Sequence, residues 1–276
     1  NNQYEQLRKI GEGASGRVML ARDLHLNRLV AIKEMEQIRE IRREMELLKA
    51  LKHPGLPDIY DYFEEDRHGF LVMEYVEGVT LKEYLEQHGK PELTQAVVWM
   101  KELLDILVYL HEQHPAVVYR DLKPANLIIQ EEGHLKLIDL GGAFFRCHNQ
   151  SEERVSIGTP GYSAPEQWNG IQADVSCDIF SFGAVAHELL TGVNPLKPPY
   201  ERRPVRRYDR RIPVSYEQMI QKCTREHPKE RYASIREVQK ALEDCETIKR
   251  RWKWKGLHLC RCLLTAIPVT MGALLV

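Results

Sequence analysis

The chain has 276 residues, 43% of them hydrophobic and 29% charged, which is the balance of a soluble folded protein with one large domain or two lobes. The formal net charge is −1, so no overall positive field attracts nucleic acid, and we predict no nucleic-acid partner. The six cysteines form no CxxC pair and no zinc-type cluster with histidine, which predicts reduced thiols in the cytoplasm.

Residues 1–76 are predicted to form a β-rich lobe with one helix. Strand patterns occur in RKIGEGASGRVMLARD, LVAIKEM and GFLVMEYV, and the helix lies between the last two. Ile41 and Leu48 recur there at helical spacing, and Glu44 falls within the same apolar stripe. A carboxylate in that position needs a cation, and Lys33 of the preceding strand is available.

Residues 77–248 have the periodicity of a larger, helical lobe. A long apolar stripe predicts a helix that starts at a Thr94 cap, and a later helix should stop at Gly192. A small β-rich lobe followed by a helical one predicts an α+β fold with a cleft between the lobes.

The segment 249–276 differs from the rest of the chain. It opens with the basic run KRRWKWK, and its last fifteen residues, from Cys262 to Val276, carry no charge. A bilayer span needs about 20 apolar residues. We interpret the segment as a basic juxtamembrane run and the start of a truncated transmembrane helix, because lysine and tryptophan suit a membrane interface. The alternative is a hydrophobic tail docked on a soluble protein.

Gly11, Gly13 and Gly16 form the pattern G-x-G-x-x-G. A dinucleotide site would place a helix after the third glycine, but RVMLARD continues as a strand. The pattern favours a hairpin whose backbone N–H groups lie over phosphates, with an ordinary tight turn as the alternative.

In the strand VAIK, Ala31 and Lys33 face the same side. A small residue beside a lysine suits a flat ligand ring with an anionic group beyond it. The alternative is an edge-strand lysine that reaches into solvent.

Charged and polar residues interrupt the apolar stretch VVYRDLKPANLII. Asp121 and Asn126 lie within it, and Asp139 follows in LKLIDLGG. Two carboxylates and a carboxamide, each after a strand-like run, can bind Mg²⁺ and position a hydroxyl. Lys123 adds a compact positive charge near a transferred phosphoryl group.

The ordered motifs GEGASGRV, VAIK, a helix glutamate, YRDLKPAN, DLG and APE resemble those of the protein kinases, over about residues 4–245. The resemblance implies a bilobal fold with ATP in the cleft and Mg²⁺-dependent transfer of the γ-phosphate. The residues it implies around ATP are Gly11, Glu12, Gly13, Ala14, Ser15, Gly16, Val18, Ala31, Lys33, Met73, Glu74, Val76 and Ile128.

The same resemblance implies catalytic roles for four residues. Lys33 would contact the α and β phosphates while paired with Glu44. Asp121 would accept or orient the substrate hydroxyl proton, and Lys123 would approach the γ-phosphate.

Asn126 and Asp139 would hold Mg²⁺. Two further implied contacts are structural: Glu166 pairs with Arg231, and Asp178 anchors the backbone of the catalytic loop.

Lys123 and the segment GTPGYSAPE resemble the serine/threonine group, and bacterial membrane-anchored receptor kinases in particular. This implies a cytoplasmic kinase domain tethered to the membrane, with serine- and threonine-containing protein substrates and a possible homodimer. Autophosphorylation of the activation loop is implied at Ser151, Ser156 or Thr159, although Thr159 has mainly a structural and substrate-facing role.

Two features leave alternatives open. Lys33 and Glu44 are only eleven residues apart, a short connection that either restricts the helix or leaves Glu44 dependent on a partner. A pseudokinase that binds nucleotide without phosphoryl transfer is the alternative function, disfavoured because Lys33, Asp121, Asn126 and Asp139 are all present.

The run RRPVRRYDRR is a second basic cluster, with six arginines between Arg202 and Arg211. It is predicted to be a solvated loop. The alternative is a docking patch for an acidic or phosphorylated partner, or for anionic lipid headgroups.

Overall fold

Five strands form an antiparallel sheet in the first part of the chain, with the order β1-β2-β3-β5-β4. The computed structural model describes residues 3–13, 16–146, 158–168, 174–198, 200 and 202–247. The strands of this sheet are β1 (Tyr4–Gly13), β2 (Gly16–Asp23), β3 (Arg28–Met35), β4 (Ile59–Glu65) and β5 (His68–Glu74).

β3 is the central strand of the sheet, and it separates two apolar clusters. Ala31 belongs to the main core, whereas Val30 and Ile32 pack in a smaller cluster on the other face. Lys33 follows Ala31 by two residues and is buried. The alternative of an edge-strand lysine in solvent is therefore wrong.

Helix α1 (Ile38–Ala50) packs against β4 and β5. Ile41 and Leu48 are buried, as their spacing predicted. Gly69 of β5 permits this close packing, because a Cβ atom there would lie only 2.3 Å from Ile41 Cγ2. The helix thus sits directly on the sheet, with Glu44 facing inward.

The second part of the chain is mainly helical, and its core runs through the buried faces of the long helices. The helices are α2 (Leu81–His88), α3 (Leu93–His111), α4 (Pro165–Trp168), α5 (Val175–Thr191), α6 (Val214–Cys223) and α7 (235–247). Short strands accompany them: β6 (Val79–Thr80), β7 (Val117–Val118), β8 (Leu127–Ile129), β9 (Leu135–Leu137) and β10 (Phe144–Phe145).

The helix boundaries test two predictions. α5 ends at Gly192, which has the left-handed φ of 73° expected of a glycine stop. The Thr94 cap is wrong, because α3 begins at Leu93 with Glu92 as its N-cap. Leu93 packs against the core, so the helix starts one residue before Thr94.

The α+β fold with a β-sheet lobe and a helical lobe is confirmed. The exact division into 1–76 and 77–248 stays a prediction. Among the helices that the structure describes, none has the length and apolar character needed to cross a membrane. The predicted membrane segment, 249–276, lies outside the described residues.

Candidate active site

The loop between β7 and β8 carries the central polar residues of the site. Asp178 of α5 is fully buried, and its carboxylate accepts hydrogen bonds of 2.8 Å from the backbone N–H groups of Tyr119 and Arg120. His111 Nε2 lies 2.9 Å from the same carboxylate. Asp178 therefore anchors this loop to α5, as predicted.

Asp121 lies in this loop with both carboxylate oxygens engaged. Oδ2 accepts a hydrogen bond of 2.6 Å from Lys123 Nζ, and Oδ1 accepts one of 2.9 Å from Thr159 Oγ1. Lys123 Nζ also donates to Thr159 Oγ1 at 2.9 Å. The structure thus brings together three residues that the sequence places up to 38 positions apart.

Asn126 and Asp139 present oxygen atoms on neighbouring segments, since Ile138 N–H donates to the Asn126 carbonyl at 2.9 Å. Asn126 Nδ2 donates to the Asp121 carbonyl at 2.9 Å. A carbonyl can only accept, so this bond fixes the amide orientation. Among the described residues, no hydrogen bond engages Asn126 Oδ1 or Asp139 Oδ2.

This donor set fits a hard divalent cation, because carboxylate and carboxamide oxygens are the protein ligands that such cations prefer. Asp139 Oδ1 is occupied by Lys33 Nζ at 2.7 Å and by the Gly141 N–H at 3.1 Å. The described residues contain no cluster of three or more histidine, cysteine, aspartate or glutamate side chains that would hold a metal alone. A bound cation would therefore need ligands from phosphate or water as well.

Lys33 forms a buried three-residue ion network with Glu44 and Asp139. Lys33 Nζ lies 2.5 Å from Glu44 Oε2, and both side chains are almost fully buried. Burial alone would lower the pKa of Lys33, but the two carboxylates raise it above its usual value. Burial likewise opposes ionisation of Asp139, but the Lys33 charge lowers the pKa of that carboxyl. The lysine is therefore held as a cation.

The predicted ring-binding residues line the strands around this network. Val18 pairs with Lys33, and Ala31 pairs with Met73 in the sheet. Met73 and Val76 are buried. Ile128 of β8 is partly buried.

Glu74 ends β5, and both its backbone and its side chain form contacts. Its backbone N–H donates to the Asp58 carbonyl at 2.8 Å, and its side chain pairs with Lys136. The Glu74 N–H group is therefore occupied within the chain.

The glycine pattern lies on the β1-β2 hairpin, as predicted, with a strand on each side. Gly16 has a φ of +104°, and a Cβ atom there would lie 2.3 Å from the Glu34 carbonyl oxygen. Only glycine fits that position. Ala14 and Ser15 lie outside the described residues.

A profile of the protein kinase domain matches residues 4–250. The chain belongs to the protein kinase family. It is 35% identical over 259 residues to the serine/threonine-protein kinase PrkC of Bacillus subtilis, which covers 87% of the chain and 40% of PrkC. A probable serine/threonine-protein kinase of Clostridium perfringens is 30% identical, with 90% of the chain and 38% of the relative covered.

Aurora kinase C of Mus musculus is 33% identical, with 83% of the chain and 87% of the relative covered. The chain spans about two fifths of the length of the bacterial relatives. The predicted family is therefore confirmed, and the comparisons support ATP binding at the level of the family.

The loop after Asp139 is described only in part in this kinase. Ser151 and Ser156 lie outside the described residues, whereas Thr159 contacts Asp121. Arg120 donates through Nε to the Gly142 carbonyl at 2.6 Å and lies over the Phe144 ring at 4.3 Å. Burial lowers the pKa of its guanidinium.

Sequence reasoning missed two contacts in the kinase site. The Tyr119 hydroxyl lies 2.9 Å from the carbonyl oxygens of Ile138 and Asp139, and it bridges the two segments that carry Asn126 and Asp139. The only signal was a tyrosine in an otherwise aliphatic strand flank, since a buried hydroxyl needs a partner. The His111 contact with Asp178 had no local signal.

Proposed function

We propose that this kinase transfers the γ-phosphate of ATP to serine and threonine hydroxyls of proteins, with Mg²⁺ as the metal. The contact between Thr159 and Asp121 carries this proposal. Thr159 is an alcohol of the substrate's kind, and its hydroxyl donates to Asp121 Oδ1 at 2.9 Å. A substrate hydroxyl in that place would be oriented for attack and would give its proton to the same carboxylate.

Two lysines would supply positive charge for the phosphates. Lys123, 2.6 Å from Asp121, would stabilise the transferred phosphoryl group. Lys33, held by Glu44, would neutralise the α and β phosphates. Mg²⁺ bound to Asn126 and Asp139 would supply further charge neutralisation at the phosphates. Catalysis then depends on position and charge, without a covalent intermediate.

The residues proposed to surround ATP are those on the glycine hairpin, the sheet and β8. Val18, Ala31 and Ile128 would enclose the adenine ring of ATP. Met73 would limit the depth of the pocket that holds this ring. The proposed ring pocket is thus formed largely by the sheet, whereas the proposed Mg²⁺ ligands, Asn126 and Asp139, belong to the helical lobe.

Labelled-phosphate transfer from ATP tests the proposal, with the full chain, Mg²⁺ and a generic protein substrate. Asp121→Asn and Asp139→Asn should each abolish transfer. Asp244→Asn is the matched control, because Asp244 is an exposed residue of α7 and the substitution changes charge identically. If the folded wild type binds ATP but transfers nothing, the pseudokinase function replaces this one.

We also infer autophosphorylation of the loop at Ser151, Ser156 or Thr159. Arg120 supports it, because a guanidinium beside this loop can bind a phosphorylated side chain. Mass spectrometry after incubation with ATP would map the sites. Phosphate found only outside residues 140–166 would contradict this inference.

We further propose that the kinase domain is cytoplasmic and tethered to a membrane through 249–276, with a homodimer as its assembly. The basic run followed by an uncharged apolar stretch supports the tether. Deletion of residues beyond 250 should release the protein from membranes, and sedimentation of the released form would test the dimer. Unchanged fractionation after deletion would favour the docked tail.

A further inference from the structure

The segment 202–211, here called the arginine platform, carries six arginines and one aspartate. It forms a surface between α5 and α6 that the catalytic site does not use. Its sequence allowed either a solvated loop or a docking patch.

Three contacts hold the arginine platform in place. Val205 is buried in the core, and the Arg206 N–H donates to Glu217 Oε2 at 2.8 Å. Asp209 Oδ2 accepts from Lys90 Nζ at 2.8 Å. The segment is therefore a fixed surface, unlike a loop that is held only at its two ends.

The platform directly adjoins the segment that contacts the catalytic residues. Arg202 Nη2 donates to the Gly161 carbonyl at 2.5 Å. Gly161 also lies against Pro195, since a Cβ atom on it would be 2.9 Å from Pro195 Cβ. Gly161 follows Thr159, which touches Asp121, by two residues, or about 7 Å of chain.

An extended peptide spans about 3.3–3.6 Å per residue. If its hydroxyl lies at Asp121, a residue roughly three positions from the phosphoacceptor would thus reach the platform.

Positive charge on the platform exceeds the negative charge around it. Asp209 is already shared by Arg211 and Lys90. Arg207 and Arg210 are exposed, and no carboxylate in the described part of the chain lies within 4.0 Å of either. Arg206 Nε is buried and has no hydrogen-bond partner among those residues. The exposed guanidinium groups of Arg207 and Arg210 are therefore available to an anion from outside the chain.

We propose that the arginine platform binds acidic side chains of the protein substrate, either carboxylates or phosphorylated residues, about three positions from the phosphoacceptor. This rests on the proposed kinase function and specifies its substrate class. Arginine suits both anions, because its planar guanidinium forms paired hydrogen bonds with carboxylate or phosphate oxygens. The bond from Arg202 to Gly161 places this end of the platform two residues from Thr159 and the proposed phosphoacceptor position, which favours a substrate over a lipid surface.

Serine peptides test the proposal with the 276-residue chain. One peptide has glutamine at positions two to four on both sides of the serine, and others have glutamate or phosphoserine at those positions on one side. The kcat/KM of an acidic peptide should exceed that of the glutamine peptide by about tenfold at low salt, and the advantage should shrink as salt screens the charges. Arg207→Gln/Arg210→Gln should reduce the ratio about threefold or more. Arg225→Gln/Lys229→Gln, which removes two exposed charges elsewhere, should leave the ratio unchanged.

A second readout separates this proposal from the kinase function. Fluorescence anisotropy without ATP measures the affinity of the labelled acidic and glutamine peptides. The wild type should bind the acidic peptide more tightly than the glutamine peptide, and Arg207→Gln/Arg210→Gln should bind the two peptides equally. Preferential binding without phosphate transfer would support the platform while the kinase function fails. Equal binding and equal kcat/KM for acidic and glutamine peptides would overturn the proposal. If Arg207→Gln/Arg210→Gln loses binding to phosphatidylserine vesicles but keeps the wild-type preference for acidic peptides, the platform has a membrane role and the substrate proposal is wrong.

Discussion

Arg231 and Glu166 form a bidentate buried ion pair, with Nη1–Oε1 at 2.5 Å and Nη2–Oε2 at 2.8 Å. The pair joins α4, next to the segment that carries Thr159, to the chain before α7. Both side chains are nearly fully buried, so each offsets the cost of burying the charge of the other.

Arg231→Met should lower the free energy of unfolding by about 3–5 kcal/mol, because it leaves a buried carboxylate without its cation. Urea denaturation would measure the loss. The control is Arg236→Met, which removes an arginine from the exposed pair with Glu112 and should cost less than about 1 kcal/mol. Similar losses for both variants would contradict this account.

Thr159→Val should lower kcat for phosphate transfer by about tenfold or more, because it removes the oxygen that accepts from Lys123 Nζ at 2.9 Å, and a hydrogen bond to a charged group contributes about 1.5–3 kcal/mol. Thr159→Ser keeps the hydroxyl that contacts Asp121 and should retain most activity. Thermal melts would show that both variants fold. If the serine variant is as impaired as the valine variant, the hydroxyl contact is not what matters.

Tyr119→Phe should cost about 1–1.5 kcal/mol of stability and raise the Mg²⁺ concentration needed for half-maximal transfer. The phenylalanine cannot bridge the Ile138 and Asp139 carbonyls, so the segment with Asp139 is held less firmly. Tyr216→Phe is the matched control, because the buried Tyr216 hydroxyl has no hydrogen-bond partner among the described residues. That variant should be neutral or slightly stabilised, and an equal Mg²⁺ shift in it would refute the prediction.

Glu188 should make the kinase less stable as the pH rises. Burial raises the pKa of this carboxyl to about 7 from 4.5, while Tyr162 donates to it at 2.5 Å. Between these pH values the folded chain keeps a proton that the unfolded chain has lost, so the free energy of unfolding falls by up to about 3 kcal/mol.

His187 has the opposite effect on the acid side. Burial lowers its pKa to about 4 from 6.5, so stability is lost as the pH falls through that window. Glu188→Gln isolates the first effect: its stability relative to wild type should rise between pH 5 and 7 and stay level above pH 8. A constant difference across this range would be inconsistent with a raised pKa.

The sequence predicts those parts of the site that depend on a single element. Glu44 was placed by helical spacing, and its pairing with Lys33 follows because a buried carboxylate requires a cation. Contacts between distant elements could not be predicted in this way. His111 and Asp178, for example, are 67 residues apart, and no periodicity links them. Thr94 failed as a cap because the packing of Leu93 outweighed local cap chemistry.

Only Glu36 and Gln37 separate β3 from α1. The ion pair forms within the single chain, so the dependence of Glu44 on a partner is not required and the restricted helix is the consequence. Two linking residues span about 10 Å at most, and Ile41 is seated on Gly69. Any movement of the sheet would therefore carry α1 and the Lys33–Glu44 pair with it, because neither the short link nor the packing on Gly69 leaves the helix room to move separately.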